Sequence, residues 1–266
     1  MAIVATNQSK RLIEAIRELA EYRGQDPVAT AFNVGNSFFS TNEIWRASDP
    51  KTPGEIMDHY RTCEPQIEQQ VFATYGIPSE IALRERMEKL LVPRASTTLR
   101  VLEPQMKQSV LDFGAGIGSQ LLPFAKRPGV QCTHVDVGGV MMKYAAWRYR
   151  RCPQPVEFIE LADGYLEHGV PQLKDRTFDL VICTEVLEHV TEPEKLVAML
   201  AGLVKPEGLC VATVSFDDGE GMVPMHLNVD KYNDETFLAE VFPRNGLERV
   251  EDHVFRKVVA AETTHR

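Results

Sequence analysis

Residues 109–120 read SVLDFGAGIGSQ, an apolar run with one aspartate followed by three glycines in five positions. Val110, Leu111 and Phe113 predict a short buried strand, and the apolar spacing after Gly118 predicts a helix. Glycine permits positive φ and lets another group approach the backbone closely. A helix N-terminus at this point would offer unpaired N–H groups. The stretch therefore predicts a cradle for a nucleotide-type cofactor in a Rossmann-like sheet.

The glycine spacing bears on the type of cofactor. A dinucleotide-binding turn follows G-x-G-x-x-G, whereas Gly114, Gly116 and Gly118 follow G-x-G-x-G. Ser119 stands where the third glycine of the dinucleotide pattern would fall, and the pattern begins more than 100 residues into the chain. Both features weigh against a nicotinamide-dependent oxidoreductase, which at this point stays open as an alternative.

From about residue 108 the chain alternates between strand and helix patterns, which implies parallel strands with right-handed crossovers. A last helix near 233–243 and a terminal strand or hairpin at 247–260 are expected to complete this part. The predicted strands are 108–113, 131–137, 156–161, 178–183 and 208–216, with helices near 118–127, 138–150 and 192–203.

The first part of the chain is predicted to be mostly helical. Ser9 can begin a helix that Gly24 ends, while the aromatic, turn-rich segment 27–54 is predicted to be an ordered loop or short helices. Further helices are expected near 54–61, 65–75 and 79–91. The predicted domains are an N-terminal helical cap over residues 1–104 and an α/β domain over residues 105–266.

Composition limits the class of protein. The 266 residues are 44% hydrophobic and 25% charged, which is ordinary for a globular protein. A formal charge of −9 argues against a nucleic-acid binder, which usually has a basic face. The five cysteines form no C-x-x-C pair, so no metal site is predicted. The chain shows no signal peptide and no apolar run of membrane-spanning length, so we expect a cytoplasmic protein.

Acidic residues follow the second and third predicted strands. Asp136 lies 18 residues after Gly118, where a carboxylate can accept both hydroxyls of a ribose or can cap the next helix. Asp163 lies where a loop would pass an adenine edge, and a carboxylate there can accept a hydrogen bond from an exocyclic amine. These positions favour a cofactor that contains adenosine.

The order of five segments resembles class I S-adenosylmethionine-dependent methyltransferases. The segment EVLEHV at 185–190 is most similar to the small-molecule branch typified by the ubiquinone and menaquinone biosynthesis methyltransferases. The resemblance covers about residues 108–216 and implies a Rossmann-like, mostly parallel seven-stranded α/β sheet with helices on both faces, beside the N-terminal helical cap. The five segments are VLDFGAGIGS (110–119), HVDVGG (134–139), LADGYL (161–166), FDLVICTEVLEHV (178–190) and LVKPEGLCVATV (203–214).

The resemblance implies that S-adenosylmethionine is the cofactor and S-adenosylhomocysteine the product. Asp112 would hold the first loop and reach the cofactor's amino group, and Asp136 would take the ribose hydroxyls. The methionine part would lie against the turn at Gly114, Gly116 and Gly118.

The remaining cofactor contacts are implied in the same way. Asp163 would meet the adenine amine, with Ala162 and Gly164 nearby, and Val137 would also contact the cofactor. Thr184 and Glu185 would line the floor near the sulfonium.

The implied activity is in-line methyl transfer to an oxygen, nitrogen or carbon of a small organic molecule. Proton removal from the acceptor points to His189 and His226 as candidate bases, because both are expected at the carboxyl edge of the sheet. The helical cap is predicted to be the acceptor lid, with aromatic residues as candidates for its inner wall: Tyr22, Phe38, Phe39, Trp45 and Tyr60.

Several alternatives remain open from the sequence. The same fold can use the cofactor for non-methylating chemistry, and a catalytically silent cofactor-binding protein is a further reading. The resemblance also implies two final antiparallel strands, for which the segment 247–266 leaves little room. A homodimer is left open. A nucleic-acid acceptor is not expected, because CTEV follows the fourth strand instead of an N/D-P-P-Y/F motif.

Overall fold

The computed structural model describes residues 7–90, 108–216 and 223–258. Five helices come first in these ranges, and seven strands alternating with further helices follow. They are α1 (Asn7–Arg23), α2 (Pro27–Ser48), α3 (Pro53–Thr62), α4 (Pro65–Gly76), α5 (Pro78–Leu90), β1 (Gln108–Phe113), α6 (Leu122–Ala125), β2 (Val130–Asp136), α7 (Gly139–Tyr149), β3 (Val156–Glu160), α8 (Tyr165–His168), β4 (Phe178–Cys183), α9 (Pro193–Leu203), β5 (Val204–Ala212), α10 (Asp234–Arg244), β6 (Leu247–Glu251) and β7 (Val254–Lys257), with 3-10 turns at Pro171–Leu173 and Leu187–His189.

The strands form a seven-stranded sheet in the order β3-β2-β1-β4-β5-β7-β6. Strands β1 to β5 are parallel, and β7 pairs antiparallel with both β5 and β6. The order reverses between β1 and β4, and open α/β sheets bind ligands beyond the carboxyl ends of the strands at such a switch point. The predicted Rossmann-like, mostly parallel α/β sheet is therefore confirmed.

The last two strands form a tight hairpin. Only Asp252 and His253 separate β6 from β7, and His253 adopts a φ of +60°. A two-residue connection with a left-handed residue suffices to reverse the chain. The concern that segment 247–266 is too short for an antiparallel pair is thus wrong, although residues 259–266 lie outside the described part.

The helix predicted at 118–127 is wrong in its extent. Helix α6 covers only Leu122–Ala125, because Gly118 has a φ of +74° and cannot belong to a right-handed helix. The chain makes turns from residue 118 to residue 121 before the helix begins. The glycines consequently do not adjoin a helix N-terminus, so an anion beside them would not meet the unpaired N–H groups of a helix.

Strand β5 begins and ends earlier than predicted. It runs from Val204 to Ala212, whereas the sequence pattern predicted 208–216. Its pairing with β4 shifts register between Phe178 and Leu180, and Glu207 has a φ of +61°. The turn-forming residues KPEG (205–208) therefore lie inside the strand and interrupt its regular pairing, as in a β-bulge.

The prediction of a loop or short helices at 27–54 is also wrong, because α2 is a single helix of 22 residues. Asp26 caps it by accepting hydrogen bonds from the N–H groups of Val28 and Ala29. Its buried face contains hydroxyl residues whose side chains bond to the preceding turn, such as Ser37 to the Val34 carbonyl. The apolar period that identifies a helix in sequence is therefore missing here.

The five helices α1–α5, called the cap below, share a hydrophobic core with the sheet part. Leu19, Val71 and Tyr75 of the cap pack in one cluster with Ile117 and Tyr144. Helices α3 and α4 both contact α7. The predicted domain boundary at residue 104 falls in the segment 91–107, which lies outside the described residues, so that boundary stays a prediction.

Arg148 of α7 joins the cap to the loop that follows β1. Its side chain is buried and donates to the Ile117 carbonyl at 2.8 Å and to Ser119 Oγ at 3.0 Å. It also donates to Tyr75 Oη at 2.6 Å and to Glu18 Oε2 at 3.2 Å. One cation thus connects two cap helices with the glycine-rich turn.

We expect Arg148→Met to destabilise the fold by about 3 kcal/mol, because removal of a buried charged partner leaves its acceptors unpaired. Chemical denaturation measures this change. Arg150→Met is the matched control, since Arg150 is exposed at the end of the same helix and should change stability by less than about 0.5 kcal/mol. Equal effects of the two substitutions would contradict the role given to Arg148.

Candidate functional site at the sheet edge

A cavity of about 450 Å³ lies at the carboxyl edge of the sheet, between β1, β2, β4 and the cap. This is the edge at which the sequence predicted the site. The sheet part and the cap both contribute to its wall. Among the lining residues are Gly114, Asp136, Val137, Glu185, His189 and His226 from the sheet part, and Phe38, Tyr60, Gln66, Gln69, Gln70 and Phe72 from the cap.

The glycine loop, residues Gly114–Gly118, is fixed by backbone hydrogen bonds. Gly114 N–H donates to the Val135 carbonyl at 2.8 Å, and Gly118 N–H donates to the Ala115 carbonyl at 2.7 Å. Gly114, Gly116 and Gly118 all have positive φ, which a residue with a side chain rarely adopts. The predicted turn of three glycines is present, and Gly114 faces the cavity.

Each of these glycines also makes room for a neighbouring side chain. A Cβ on Gly114 would lie 2.3 Å from Val186 Cγ2, and one on Gly118 would lie 2.2 Å from Tyr149 Oη. A Cβ on Gly116 would lie 2.1 Å from Gln70 Oε1. Part of the glycine requirement therefore comes from packing within the protein, in addition to any ligand.

Asp136 lies at the carboxyl end of β2 and lines the cavity, as predicted. Its Oδ2 accepts from Gly116 N–H at 2.6 Å, and its Oδ1 accepts from Val137 N–H at 2.7 Å. Burial raises the pKa of this carboxyl to about 6, and the two N–H bonds oppose the increase. Each carboxylate oxygen can accept a further bond, so a ribose could be held without breaking these contacts.

The residues predicted to meet adenine lie outside the cavity lining, namely Ala162, Asp163 and Gly164. Asp163 Oδ1 accepts from Arg61 Nη2 at 3.2 Å. The same arginine, from α3 of the cap, donates to the carbonyls of Val137 and Leu161. Arg61 thus bridges the ends of β2 and β3, and the adenine contact of Asp163 stays a prediction.

Asp112 and Thr184 are likewise absent from the cavity lining. Asp112 is 1% exposed on β1, and its Oδ2 has no hydrogen-bond partner among the described residues. Burial, followed by the charge of Asp136, raises the pKa of Asp112 well above its usual value. Glu185 does line the cavity, with a φ of +53° and its N–H bonded to Thr213 Oγ1.

The two candidate histidines meet at the cavity wall. The rings of His189 and His226 are 5.0 Å apart between centroids, in an edge-on arrangement. His189 Nδ1 lies 3.0 Å from the Met225 carbonyl, which assigns the ring proton to Nδ1 and leaves Nε2 as the basic nitrogen. Burial and then His226 lower the pKa of His189 to about 3, so His189 is neutral at physiological pH.

Glu188 lies beside these histidines. It is fully buried, and neither carboxyl oxygen has a hydrogen-bond partner within the described ranges. One ligand atom from each of Glu188, His189 and His226 falls within 4.8 Å of the others. Such a carboxylate and imidazole set has the composition of a divalent-cation site. The absence of a metal, predicted from cysteine spacing alone, stays a prediction.

The glutamines of the cavity wall were not predicted from the sequence, whereas Tyr60 was predicted as a lid residue. Tyr60 Oη and Gln66 Oε1 are buried, and neither has a hydrogen-bond partner in the described part of the chain. The glutamines of α4 have no motif, and a glutamine in a helix ordinarily indicates a solvent-exposed position. Of the five aromatic residues proposed for the lid, Phe38 and Tyr60 line the cavity.

Comparison with known proteins agrees with this geometry. Residues 111–212 match a family of proteins described as a methyltransferase domain. The match covers less than half of the chain. The match includes the end of β1, the glycine loop, Asp136 and the segment from Glu185 to His189, so the resemblance inferred from the sequence is confirmed over this part of the chain.

Similar curated proteins are ubiquinone biosynthesis O-methyltransferases. The one from Salmonella paratyphi A is 34% identical over 101 residues, which are 38% of this chain and 40% of the relative. The one from Albidiferax ferrireducens is 34% identical over 106 residues, 40% of each chain. The chain therefore matches about two fifths of the length of these relatives.

Solved structures extend the likeness of fold beyond residues 111–212. An O-methyltransferase family protein from Burkholderia thailandensis is 14% identical, with a TM-score of 0.55 over 96% of this chain and 93% of that chain. The DszA carbon methyltransferase is 16% identical, with a TM-score of 0.55 over 76% of this chain and 60% of that chain. At these identities the likeness is one of fold.

The raised pKa of Asp136 predicts that the stability of the fold depends on pH. Its pKa is near 6 in the folded protein and 3.8 when unperturbed, so the folded state binds more protons between these values. The stability contributed by this group is therefore present at low pH and is lost as the pH rises to about 6. The difference between the two pKa values corresponds to about 3 kcal/mol of folding free energy, at 1.36 kcal/mol for each pKa unit.

Denaturation of the wild type and Asp136→Asn between pH 4 and pH 7 measures this contribution. We expect the wild type to lose stability relative to the variant as the pH rises, since only the wild type titrates at this position. Parallel stability curves for the two proteins would contradict the raised pKa.

Proposed function

We propose that this protein is an S-adenosylmethionine-dependent methyltransferase that transfers a methyl group to an oxygen, nitrogen or carbon of a small organic molecule. The observation that supports this most is the shared cavity. Gly114 and Asp136, predicted to hold the cofactor, line the same space as His189 and His226, predicted to serve the acceptor. Both reactants can therefore occupy one enclosed volume, and 450 Å³ is within the range of small-molecule sites.

The residues at the sheet edge fit the proposed cofactor. Asp136 would accept from the ribose hydroxyls, with its two N–H bonds holding the carboxylate in place. Val137 would pack against the adenosine, and the glycine loop would lie along the amino-acid end. When bound, the cofactor supplies an activated sulfonium methyl group. Positioning the acceptor in line with it is then the protein's main contribution, because orientation alone can supply several orders of magnitude of rate.

Proton removal from the acceptor is proposed for His226. His189 is the weaker candidate, because a pKa near 3 makes it a poor proton acceptor at neutral pH. Its Nδ1 contact with the Met225 carbonyl fixes its ring beside His226, so His189 would orient its neighbour. Burial, followed by the charge of Glu185, raises the pKa of the Glu188 carboxyl beside both rings well above its usual value, so Glu188 would contribute a neutral polar group there.

The cap would form the acceptor lid. Phe38, Phe72 and Ile77 line the cavity and are also partly exposed, at 37%, 43% and 37%, so they mark an apolar mouth. An organic acceptor would enter there and meet Tyr60 Oη and Gln66 Oε1 inside, two atoms without a hydrogen-bond partner among the described residues. Apolar surroundings of this kind also exclude water from the reacting groups.

No helix in the described ranges has the length and apolarity to cross a membrane. A cytoplasmic location, the absence of a nucleic-acid partner and the option of a homodimer stay predictions from the sequence. The negative formal charge of the chain supports the choice of a small-molecule acceptor over a nucleic acid.

Labelled methyl transfer onto an extract of the host, followed by mass spectrometry, tests the proposed activity. We expect the label to appear in a small organic product in a protein-dependent way. If the protein binds S-adenosylhomocysteine but labels nothing in the extract, the proposed chemistry is contradicted and a binding role is favoured.

With an acceptor from that screen, His226→Ala should lower turnover by about 10²–10⁴-fold, the usual contribution of a general base. The affinity for S-adenosylhomocysteine should not change, because the proposed base serves the acceptor. His168→Ala is the control, as His168 is exposed on α8 and is not part of the cavity wall. Wild-type turnover in His226→Ala would exclude this residue as the base.

A further inference from the structure

Gln70 of α4 reaches from the cap onto the glycine loop. Its Oε1 accepts from Ile117 N–H at 2.9 Å. A Cβ on Gly116 would lie 2.1 Å from Oε1 and 2.5 Å from Nε2 of the same amide. The missing side chain of Gly116 is therefore what allows the Gln70 amide to lie against the loop.

The contact with Ile117 fixes the orientation of the amide. Because a backbone N–H can only donate, the atom that it meets must be the amide oxygen. The amide nitrogen, with its two N–H donors, then lies against Gly116. Gln70 also lines the central cavity together with Gly114 and Asp136. The cap thus presents a fixed neutral donor at the loop.

A ligand carboxylate in this cavity would need such a donor, because of the charges of the lining residues. Among the described residues that line the cavity, Asp136 and Glu185 are acids, and there is no lysine or arginine. A ligand carboxylate in this space would be repelled by the acids and would find no cation. It would need neutral donors, which are backbone N–H groups and amide side chains.

We propose that Gln70 is a cofactor-binding residue whose Nε2 donates to the carboxylate at the amino-acid end of the cofactor. This inference rests on the proposed function, in which that end lies along the glycine loop. It makes the cap part of the cofactor site, because α4 supplies the donor while the sheet part supplies the ribose acceptor Asp136. Cofactors that have the amino-acid end are thereby distinguished from those that lack it.

Calorimetric titration with two ligands isolates this contact. S-adenosylhomocysteine has the amino-acid end, and 5′-methylthioadenosine has the same adenosine and sulfur without it. We expect Gln70→Ala to lower the affinity for S-adenosylhomocysteine by about tenfold or more, the effect of losing a hydrogen bond to a charged group. The affinity for 5′-methylthioadenosine should stay within about twofold of the wild type, an allowance for ordinary changes of less than about 0.5 kcal/mol.

Two further variants separate binding from loop support. Gln70→Glu keeps an oxygen for Ile117 N–H but replaces the donor with a negative charge. It should therefore lower the affinity for S-adenosylhomocysteine more than Gln70→Ala does. Gln25→Ala is the matched control, because Gln25 is an exposed glutamine between α1 and α2 that is not among the cavity-lining residues. It should leave both affinities unchanged. Thermal unfolding checks that each variant is folded.

The other outcomes overturn the inference in different ways. An equal loss of affinity for both ligands in Gln70→Ala would mean that Gln70 only supports the loop. Tighter binding of S-adenosylhomocysteine would mean that Gln70 obstructs the site. If the wild type binds neither ligand, the proposed function fails and this inference fails with it, whereas binding to the wild type with no effect of the Gln70 variants rejects the inference alone.

Discussion

The backbone around Ile117 is the constraint on which the rest of the site depends. Three side chains from three different elements hold it: Asp136 of β2 accepts from Gly116 N–H, Gln70 of α4 accepts from Ile117 N–H, and Arg148 of α7 donates to the Ile117 carbonyl. Backbone hydrogen bonds hold the loop at Gly114 and Gly118, and these three side chains bond to the backbone groups between them. The loop is consequently fixed from the sheet, from the cap and from the helix behind it.

This arrangement connects the cap to the sheet part of the site. Arg148 reaches both Ile117 and Tyr75, so the loop and α4 are bonded to the same cation. Arg61 makes a second connection, from α3 to the ends of β2 and β3. The cavity between them has acids on the sheet side, neutral amides on the cap side and an apolar mouth, a distribution that suits a ligand with a ribose at one end and an acceptor of organic character at the other.

The sequence predicted the parts of this site that belong to the parallel sheet. The strand and helix alternation, the glycine turn, Asp136 and both histidines were found because buried strands and strand-end acids have a local pattern. The short α6, the early start of β5 and the long α2 were missed. In each case a local preference was overridden: by positive φ at Gly118, by an irregularity at Glu207, and by a helix face of hydroxyl residues such as Ser37. Gln70 and Arg61 could not be found from the sequence, because their roles depend on contacts across 47 and 76 positions.

A crystal structure of the protein with S-adenosylhomocysteine tests whether this cavity is the cofactor site. We expect the ribose hydroxyls within hydrogen-bond distance of the Asp136 carboxylate and the amino-acid end beside the glycine loop. We also expect the space next to His189 and His226 to remain available for an acceptor. A ligand bound outside this cavity, or bound in it with the ribose away from Asp136, would contradict the account.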